Sequence, residues 1–353
     1  MRMSSNEPSN EPSATTRWIN GIATPAKVTG AVRLFCFPHA GGGASVFRSW
    51  MPQLAPGIEV YPIQLPGREG RWLEPRVTRA SDLIQALIDE LGALFHPPFA
   101  FFGHSMGAFI AFELARELRR SGGPQPEILI ISGARAPQIA DPDPPMHQLP
   151  DRLLVEELKR LDGIPTELLE QPELVAMMLP TLRADLTMCE TYEYRNEQPL
   201  DCGISVYGGD SDRKIHLEHL SPWGTHTARG FQLRIFPGNH FFFIKDSQAE
   251  VREALCEDLR PHIKQVKQIN EAPQRVQLEQ MIAGVWADLL RLPQVGVDDN
   301  FFDLGANSLL VIQAHGKLQE ASISTLSVLD LFQYPTVRLL ASAIGDSPTG
   351  FGK

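Results

Sequence analysis

The sequence predicts an α/β domain built on a mostly parallel sheet, followed by a small all-helical bundle. Three observations predict it. First, apolar strand-like runs alternate with helical periodicities from Ala31 to about Leu259, and that rhythm gives a parallel sheet covered on both faces. Second, Ala136–Pro150 is proline-rich and the stretch from Asp151 to about Tyr194 is helical in pattern with no strand. Third, the composition turns polar after Pro261, and only helical patterns follow. At about 150 residues per domain, 353 residues suit two domains. The expected divisions are a disordered tail over 1–28, an α/β domain over 29–262 with a helical lid at about 136–198, a linker over 263–273 and a bundle over 274–347.

Composition narrows the function classes. The formal net charge of −10 argues against a nucleic-acid-binding surface. Apolar runs are too short to span a bilayer, so no membrane partner is expected. The four cysteines, Cys36, Cys189, Cys202 and Cys256, form no C-x-x-C pair and no metal-ligand spacing. They read as free thiols of a reducing cytoplasm, and no metal is expected. The N-terminus repeats Ser-Asn-Glu-Pro and lacks the apolar core of a signal peptide.

The elements follow in order. Ala31–Phe37 is a buried strand running into Pro38-His-Ala-Gly-Gly-Gly43. Phe47, Trp50 and Leu54 at helical spacing predict a helix after it. Ile58–Ile63 is the next strand. Ser81 is placed to cap a helix carrying Leu83, Leu87, Leu91 and Leu94 on one side. Phe99–Gly103, Glu127–Ile131, Gly203–Tyr207 and Phe231–Phe236 are further strands, and a helix from Ala249 to about Leu259 closes the domain.

Gly103-His-Ser-Met-Gly107 fits G-x-S-x-G between a strand and a helix, the nucleophile elbow of α/β-hydrolases. A tight strand-to-helix turn leaves no room for Cβ atoms flanking the serine. The Met106 amide lies at the helix N-terminus, where partial positive charge favours an oxyanion. In hydrolases of this class a glycine-rich loop after an early strand supplies the second donor, assigned here to the Ala40 amide; a plain turn is the alternative, and a phosphate loop is a weak one because the Gly-Lys-Ser/Thr ending is missing. His240 follows the last strand and a turn, which suits it to accept the Ser105 proton. Asp212, or the neighbouring Asp210, follows an earlier strand end and suits the acid that orients it; Asp212 is preferred. The order Ser105, Asp212, His240 is that of α/β-hydrolases. Met177, Met178, Leu179 and Leu182 are candidates to line an acyl pocket, since methionine adapts to varied apolar shapes.

These residues together resemble the type II thioesterases of polyketide and nonribosomal peptide synthesis. The resemblance runs from about Val32 to His262. It rests on Phe37-Pro-His-Ala-Gly-Gly, Leu65-Pro-Gly-Arg-Glu, Gly103-His-Ser-Met-Gly, Leu179-Pro-Thr-Leu-Arg-Ala-Asp185 and Gly238-Asn-His-Phe-Phe. It implies an α/β-hydrolase fold and hydrolysis of acyl groups from the phosphopantetheine thiols of acyl or peptidyl carrier domains. It also supports Asp212 as the acid. The chain departs from the family in having Arg213 where a proline usually follows that acid.

The second domain begins with a helix carrying Leu278, Ile282, Val285, Trp286 and Leu289 on one face. Asp299-Asn-Phe-Phe-Asp-Leu-Gly-Ala-Asn-Ser-Leu309 follows. Ser308 sits where a helix should start, and an N-cap serine needs no further function. The run resembles the attachment site of carrier proteins, which implies a four-helix carrier bundle with 4'-phosphopantetheine covalent on Ser308, installed by a phosphopantetheinyl transferase. Acidic residues outnumber basic ones by eight to four over 272–346, which suits docking to basic partner surfaces. The expected function is therefore a serine thioesterase with its own carrier, acting on acyl thioesters of that carrier or of separate synthase carriers. Two other readings remain at this stage: an acyltransferase or cyclase that resolves the acyl-serine with an amine or alcohol, and a non-catalytic carrier or scaffold.

Overall fold

The computed structural model describes residues 17–19, 30–50, 53–54, 57–161, 171–264, 272–320 and 327–345. The chain forms two compact units, Met1–Lys267 and Gln268–Lys353. In the first, β1 (Val32–Phe37), β2 (Ile58–Pro62), β3 (Phe99–His104), β4 (Ile128–Ser132), β5 (Gly203–Gly209) and β6 (Phe231–Phe236) make one six-stranded sheet in the order β2-β1-β3-β4-β5-β6. Every pairing is parallel. β3 is central and all six of its residues are buried.

The two-residue period of a strand sends alternate side chains to opposite faces. Phe35 and Phe37 of β1 enter one apolar layer, with α1 (Ala80–Leu91) and α2 (Met106–Arg120) packed on it. Val32, Leu34 and Cys36 enter the other layer, covered by Trp50, Phe243 and α5 (Gln248–Leu259). Leu83, Leu87 and Leu91 of α1 are fully buried, as their spacing predicts.

Several expectations are corrected. Phe47, Trp50 and Leu54 are buried, but among the described residues of that stretch only Ala44–Phe47 is regular, as a single 3-10 turn, and 51–52 lie outside them. Among the described residues these three side chains reach the core from turns, and their spacing is seen there as a burial pattern. Ser81 does not cap α1, which starts at Ala80 with Arg79 as the flanking residue; the Ser81 hydroxyl donates to Asp82 instead. The expected tail over 1–28 fails at Trp18 and Ile19, both almost fully buried. The Gln64 amide donates to the Trp18 carbonyl at 2.8 Å, Ile19 bridges Ile63, and the Arg71 guanidinium covers the indole at 4.0 Å. Two large apolar side chains have more to gain from burial than from solvent. Residues 1–16 and 20–28 of that tail, 162–170 of the lid and 265–271 of the linker lie outside the described residues.

The segment expected as a lid carries α3 (Asp151–Arg160) and α4 (Pro172–Glu190) among its described residues. Leu154 and Leu158 of α3 pack against Leu179, Leu182 and Leu186 of α4 in a small core of their own. The lid's exit is tied to α2 by ions: Glu113 pairs with Arg116, and Arg116 with Glu197 at 2.7 Å. The four cysteines are free thiols; burial pushes Cys202 up to about 12. No helix of the described residues is long and apolar enough to cross a membrane, and those residues hold no metal-binding cluster.

In the second unit α6 (Ala272–Leu290), α7 (Ser308–Glu320), α8 (Val328–Gln333) and α9 (Val337–Gly345) surround one core. Trp286 stacks on Phe301 with centroids 4.3 Å apart, and both are fully buried. Asp298 forms a two-pronged ion pair with Arg338.

A Cβ on Gly103 would overlap the Gly107 carbonyl, and one on Gly107 would overlap the Phe37 carbonyl. Because the obstacles are backbone, Gly107→Ala is expected to cost about 3 kcal/mol or more, roughly 6–12 °C of melting temperature; calorimetry would contradict this with an unchanged melt. A second prediction concerns His226, whose Nε2 lies 2.6 Å from Gln138 Oε1 against Phe112 and Trp223. Burial, aided by the positive Arg116, lowers its pKa to about 4. The unfolded imidazole titrates near 6.5, so between pH 6.5 and 4 the unfolded state binds more protons. This contribution is complete above pH 6.5 and falls by up to about 3 kcal/mol as pH drops to 4. The wild-type melting temperature should therefore drop more steeply over that window than that of His226→Asn; parallel curves would refute the assignment.

Candidate active site

β3 ends at His104 and α2 begins at Met106, so the reversal of direction falls on Ser105 alone. Its backbone takes φ 54° and ψ −115°, a conformation an L-residue adopts only when its surroundings impose it. They do so on both sides. The Ser105 amide donates to the Ser132 carbonyl at 2.8 Å, and the Ser105 carbonyl accepts from Ala108 at 3.0 Å. Beneath the turn His104 is fully buried, with its Nδ1 2.9 Å from Ser132 Oγ. Burial, and then the neighbouring His240 and His39 rings, hold the His104 pKa well below its usual value. A neutral imidazole thus supports the elbow from below.

Asp212 lies in the loop after β5 and His240 in the loop after β6. His240 Nδ1 is 2.7 Å from Asp212 Oδ2. The other carboxylate oxygen, Oδ1, accepts the amides of Lys214 at 2.8 Å and Ile215 at 3.0 Å. Burial pushes the Asp212 carboxyl up, but the His240 hydrogen bond and charge and these two amides outweigh it, and the net shift is down. Asp210 is turned elsewhere: its exposed Oδ1 accepts the Gly238 amide at 3.1 Å. Arg213, at the proline position of the resemblance, is exposed, and the two amides that follow it anchor Asp212.

Ser105, Met106, Ala40, Asp212 and His240 all line one cavity of about 550 Å³. Its apolar wall includes Phe109, Leu182, Leu186, Tyr192 and Trp223. Of the four residues expected to line an acyl pocket, only Leu182 does so. Met177 is half exposed, Met178 is partly exposed, and Leu179 packs inside the lid core. A helix 3.6 residues per turn cannot turn four near-consecutive side chains the same way; Leu182 and Leu186, four apart, share the inner face. Phe109 was open to detection, standing one helical turn beyond Ser105. Tyr192 was not, since its place depends on a hydroxyl bond to Glu113 at 2.6 Å and a ring contact with Phe109 at 4.3 Å. Arg135 and Lys214, which both pair with Asp141 beside the same cavity, carry no sequence signal either.

In the second unit Ser308 is exposed at the first position of α7. Capping falls on Asn307, whose Oδ1 accepts the amides of Leu309 and Leu310, each at 3.1 Å. The capping function weighed for Ser308 is thus met by its neighbour, and the hydroxyl is accessible. Gly305, at φ 102°, makes the turn that leads in. An exposed primary hydroxyl at a helix start fits covalent attachment of a phosphorylated arm.

Residues 32–263 match the thioesterase domain family, and residues 280–344 match the phosphopantetheine attachment site family. The gramicidin S biosynthesis protein GrsT of Aneurinibacillus migulanus is 42% identical over 229 residues, covering 65% of this chain and 89% of its own. Among solved structures, RedJ, a thioesterase from the prodiginine pathway of Streptomyces coelicolor, aligns with a TM-score of 0.63 and 37% identity over 68% of this chain and 97% of its own. The type II thioesterase BorB from the borrelidin biosynthetic cluster aligns with a TM-score of 0.62 and 36% identity over 72% and 100%. A serine on a strained elbow, a carboxylate-held imidazole and these matches agree: the chain belongs to the thioesterase family, as a type II thioesterase of polyketide and nonribosomal peptide assembly joined to a phosphopantetheine-attachment domain.

Proposed function

We propose that Ser105, His240 and Asp212 hydrolyse acyl groups from the pantetheine thiols of carrier domains. The observation that carries this is the 2.7 Å contact of His240 with Asp212 in the wall of the cavity that Ser105 also lines. Ser105 Oγ attacks the thioester carbonyl while His240 Nε2 takes its proton. Asp212, kept ionised, holds Nδ1–H and stabilises the imidazolium. The amides of Ala40 and Met106 hold the tetrahedral oxyanion; the Met106 amide belongs to the first turn of α2, where helical N–H groups lack intrahelical partners. The C–S bond breaks, and His240 gives its proton to the departing thiolate. Water, deprotonated by His240, then attacks the acyl-serine, and Ser105 Oγ leaves with that proton.

The same proposal assigns Ser308 as the acceptor of 4'-phosphopantetheine, transferred by a phosphopantetheinyl transferase. When attached, the group supplies a thiol that carries an acyl chain as a thioester. The α/β domain is assigned to 29–262, the linker to 263–273 and the carrier to 274–347. Partners are acyl or peptidyl carrier domains, with no nucleic acid and no membrane.

The test is hydrolysis of small acyl thioesters with product identification. Ser105→Ala should lose at least about 10³-fold in kcat/KM. Asp212→Asn should lose about 10⁴-fold, and Asp210→Asn about twofold at most. A free acid must be the product; an amide, ester or lactone would assign the protein to acyl transfer instead. Near wild-type hydrolysis by Ser105→Ala would overturn the assignment. After co-expression with a phosphopantetheinyl transferase, intact mass should show the added group on wild type and on Ser105→Ala but not on Ser308→Ala. Ser308→Ala should keep its activity on free thioesters.

A further inference from the structure

Two motifs of the sequence take no part in the chemistry above: Leu65-Pro-Gly-Arg-Glu69 and Leu179-Pro-Thr-Leu-Arg-Ala-Asp185. The fold brings them together. Arg68 and Asp185 form a two-pronged ion pair, Nη1 to Oδ2 and Nη2 to Oδ1, each at 2.7 Å. Both residues are buried, Asp185 to 2% exposure. One turn earlier on α4, Thr181 Oγ1 donates to the Gly67 carbonyl at 2.7 Å.

The pair also reaches the glycine-rich loop. Asp185 Oδ2 accepts the Gly41 amide at 2.7 Å, and Arg68 Nη1 donates to the Gly42 carbonyl at 3.1 Å. The Ala40–Gly41 and Gly42–Gly43 peptide groups are thereby fixed. Gly41 stands at φ 76°, and a Cβ there would press on Leu182 of the same lid helix. The neighbouring amides are committed as well: Gly42 to the His39 carbonyl at 2.9 Å, Ala44 to Gln64 Oε1 at 3.2 Å and Ser45 to Glu69 Oε1 at 3.3 Å. Asp185 thus takes the amide next to Ala40, and Ala40 is left to face the cavity that it lines.

We infer that Asp185 and Arg68 are positioning residues that set the oxyanion-binding loop from the lid. Helix α4 carries both the carboxylate that holds Gly41 and the leucine that walls the acyl cavity. Its seating therefore fixes the substrate wall and the oxyanion donor at once. This rests on the thioesterase reading and on Ala40 as a donor. A displaced donor costs transition-state binding far more than ground-state binding.

The test uses the full chain and a small probe, octanoyl-N-acetylcysteamine, so that carrier docking does not contribute. Asp185→Ala should lower kcat about 10²-fold per folded molecule, with KM within about threefold. The acid limb of its pH profile should stay that of wild type, because His240 and Asp212 are untouched. Asp185→Asn keeps an oxygen for the Gly41 amide and loses the charge pair. It should therefore melt as low as Asp185→Ala yet recover most of kcat. Equal kcat in the two variants, or wild-type kcat in Asp185→Ala, would overturn the inference. If neither variant folds, hydrogen exchange in the wild-type protein decides: the Gly41 amide should be strongly protected, and exchange at the rate of a free loop amide would overturn the proposal. If the wild-type protein cleaves no thioester, the functional reading falls, while the Gly41 measurement still judges the loop.

Discussion

The approach of β3, α2 and β1 at the elbow is the constraint on which the site depends. Gly103 faces the backbone of Gly107, and Gly107 faces the carbonyl of Phe37, so three main-chain segments meet with no side chain between them. Packing at that density transmits position. It forces Ser105 into its positive φ and holds the β1 end, where the glycine-rich loop starts, beside the start of α2. The proposed nucleophile and the proposed Met106 donor are thereby set by backbone contacts, whereas the loop that carries Ala40 is held in addition by the Asp185 and Arg68 side chains.

The imidazole and its carboxylate are set differently. Their loops follow β5 and β6, adjacent strands in one parallel ladder, and the loops are laced to each other. Ser211 donates its amide to the Gly238 carbonyl at 3.0 Å, and Gly238 donates to Asp210. Asp210, one of two acids the sequence offered, thus ties the loops while Asp212 faces the ring. Buried charge elsewhere follows the same logic. Removing one member of a buried ion pair typically costs about 3–5 kcal/mol because the other is stranded, and Arg68–Asp185 spans 117 positions of sequence.

Strands and the elbow are legible in the sequence because they obey local rules. β3 and β4 are continuous apolar runs, as strands buried on both faces must be, and G-x-S-x-G carries its own steric reason. The order of serine, acid and histidine is legible for the same reason, since each follows a strand end. What is illegible is what distance in sequence hides. Trp18 looks like part of a polar tail until Gln64 and Arg71 are seen to receive it. The apolar cavity depends on which face α4 turns inward, and a helix with apolar residues on several sides does not announce that face. Arg68 and Asp185 stand out in the sequence as parts of motifs, but neither motif reveals the other as its partner.

Asn307 frees the start of α7 from dependence on Ser308. By serving the first amides of α7 itself, it relieves the adjacent serine of any duty in holding the bundle together. The core of Trp286, Phe301 and Leu331 lies beneath and is closed without that hydroxyl. Decorating or stripping the serine should therefore leave the folded bundle unchanged, and the unmodified and modified proteins should present partners with the same surface apart from the arm itself.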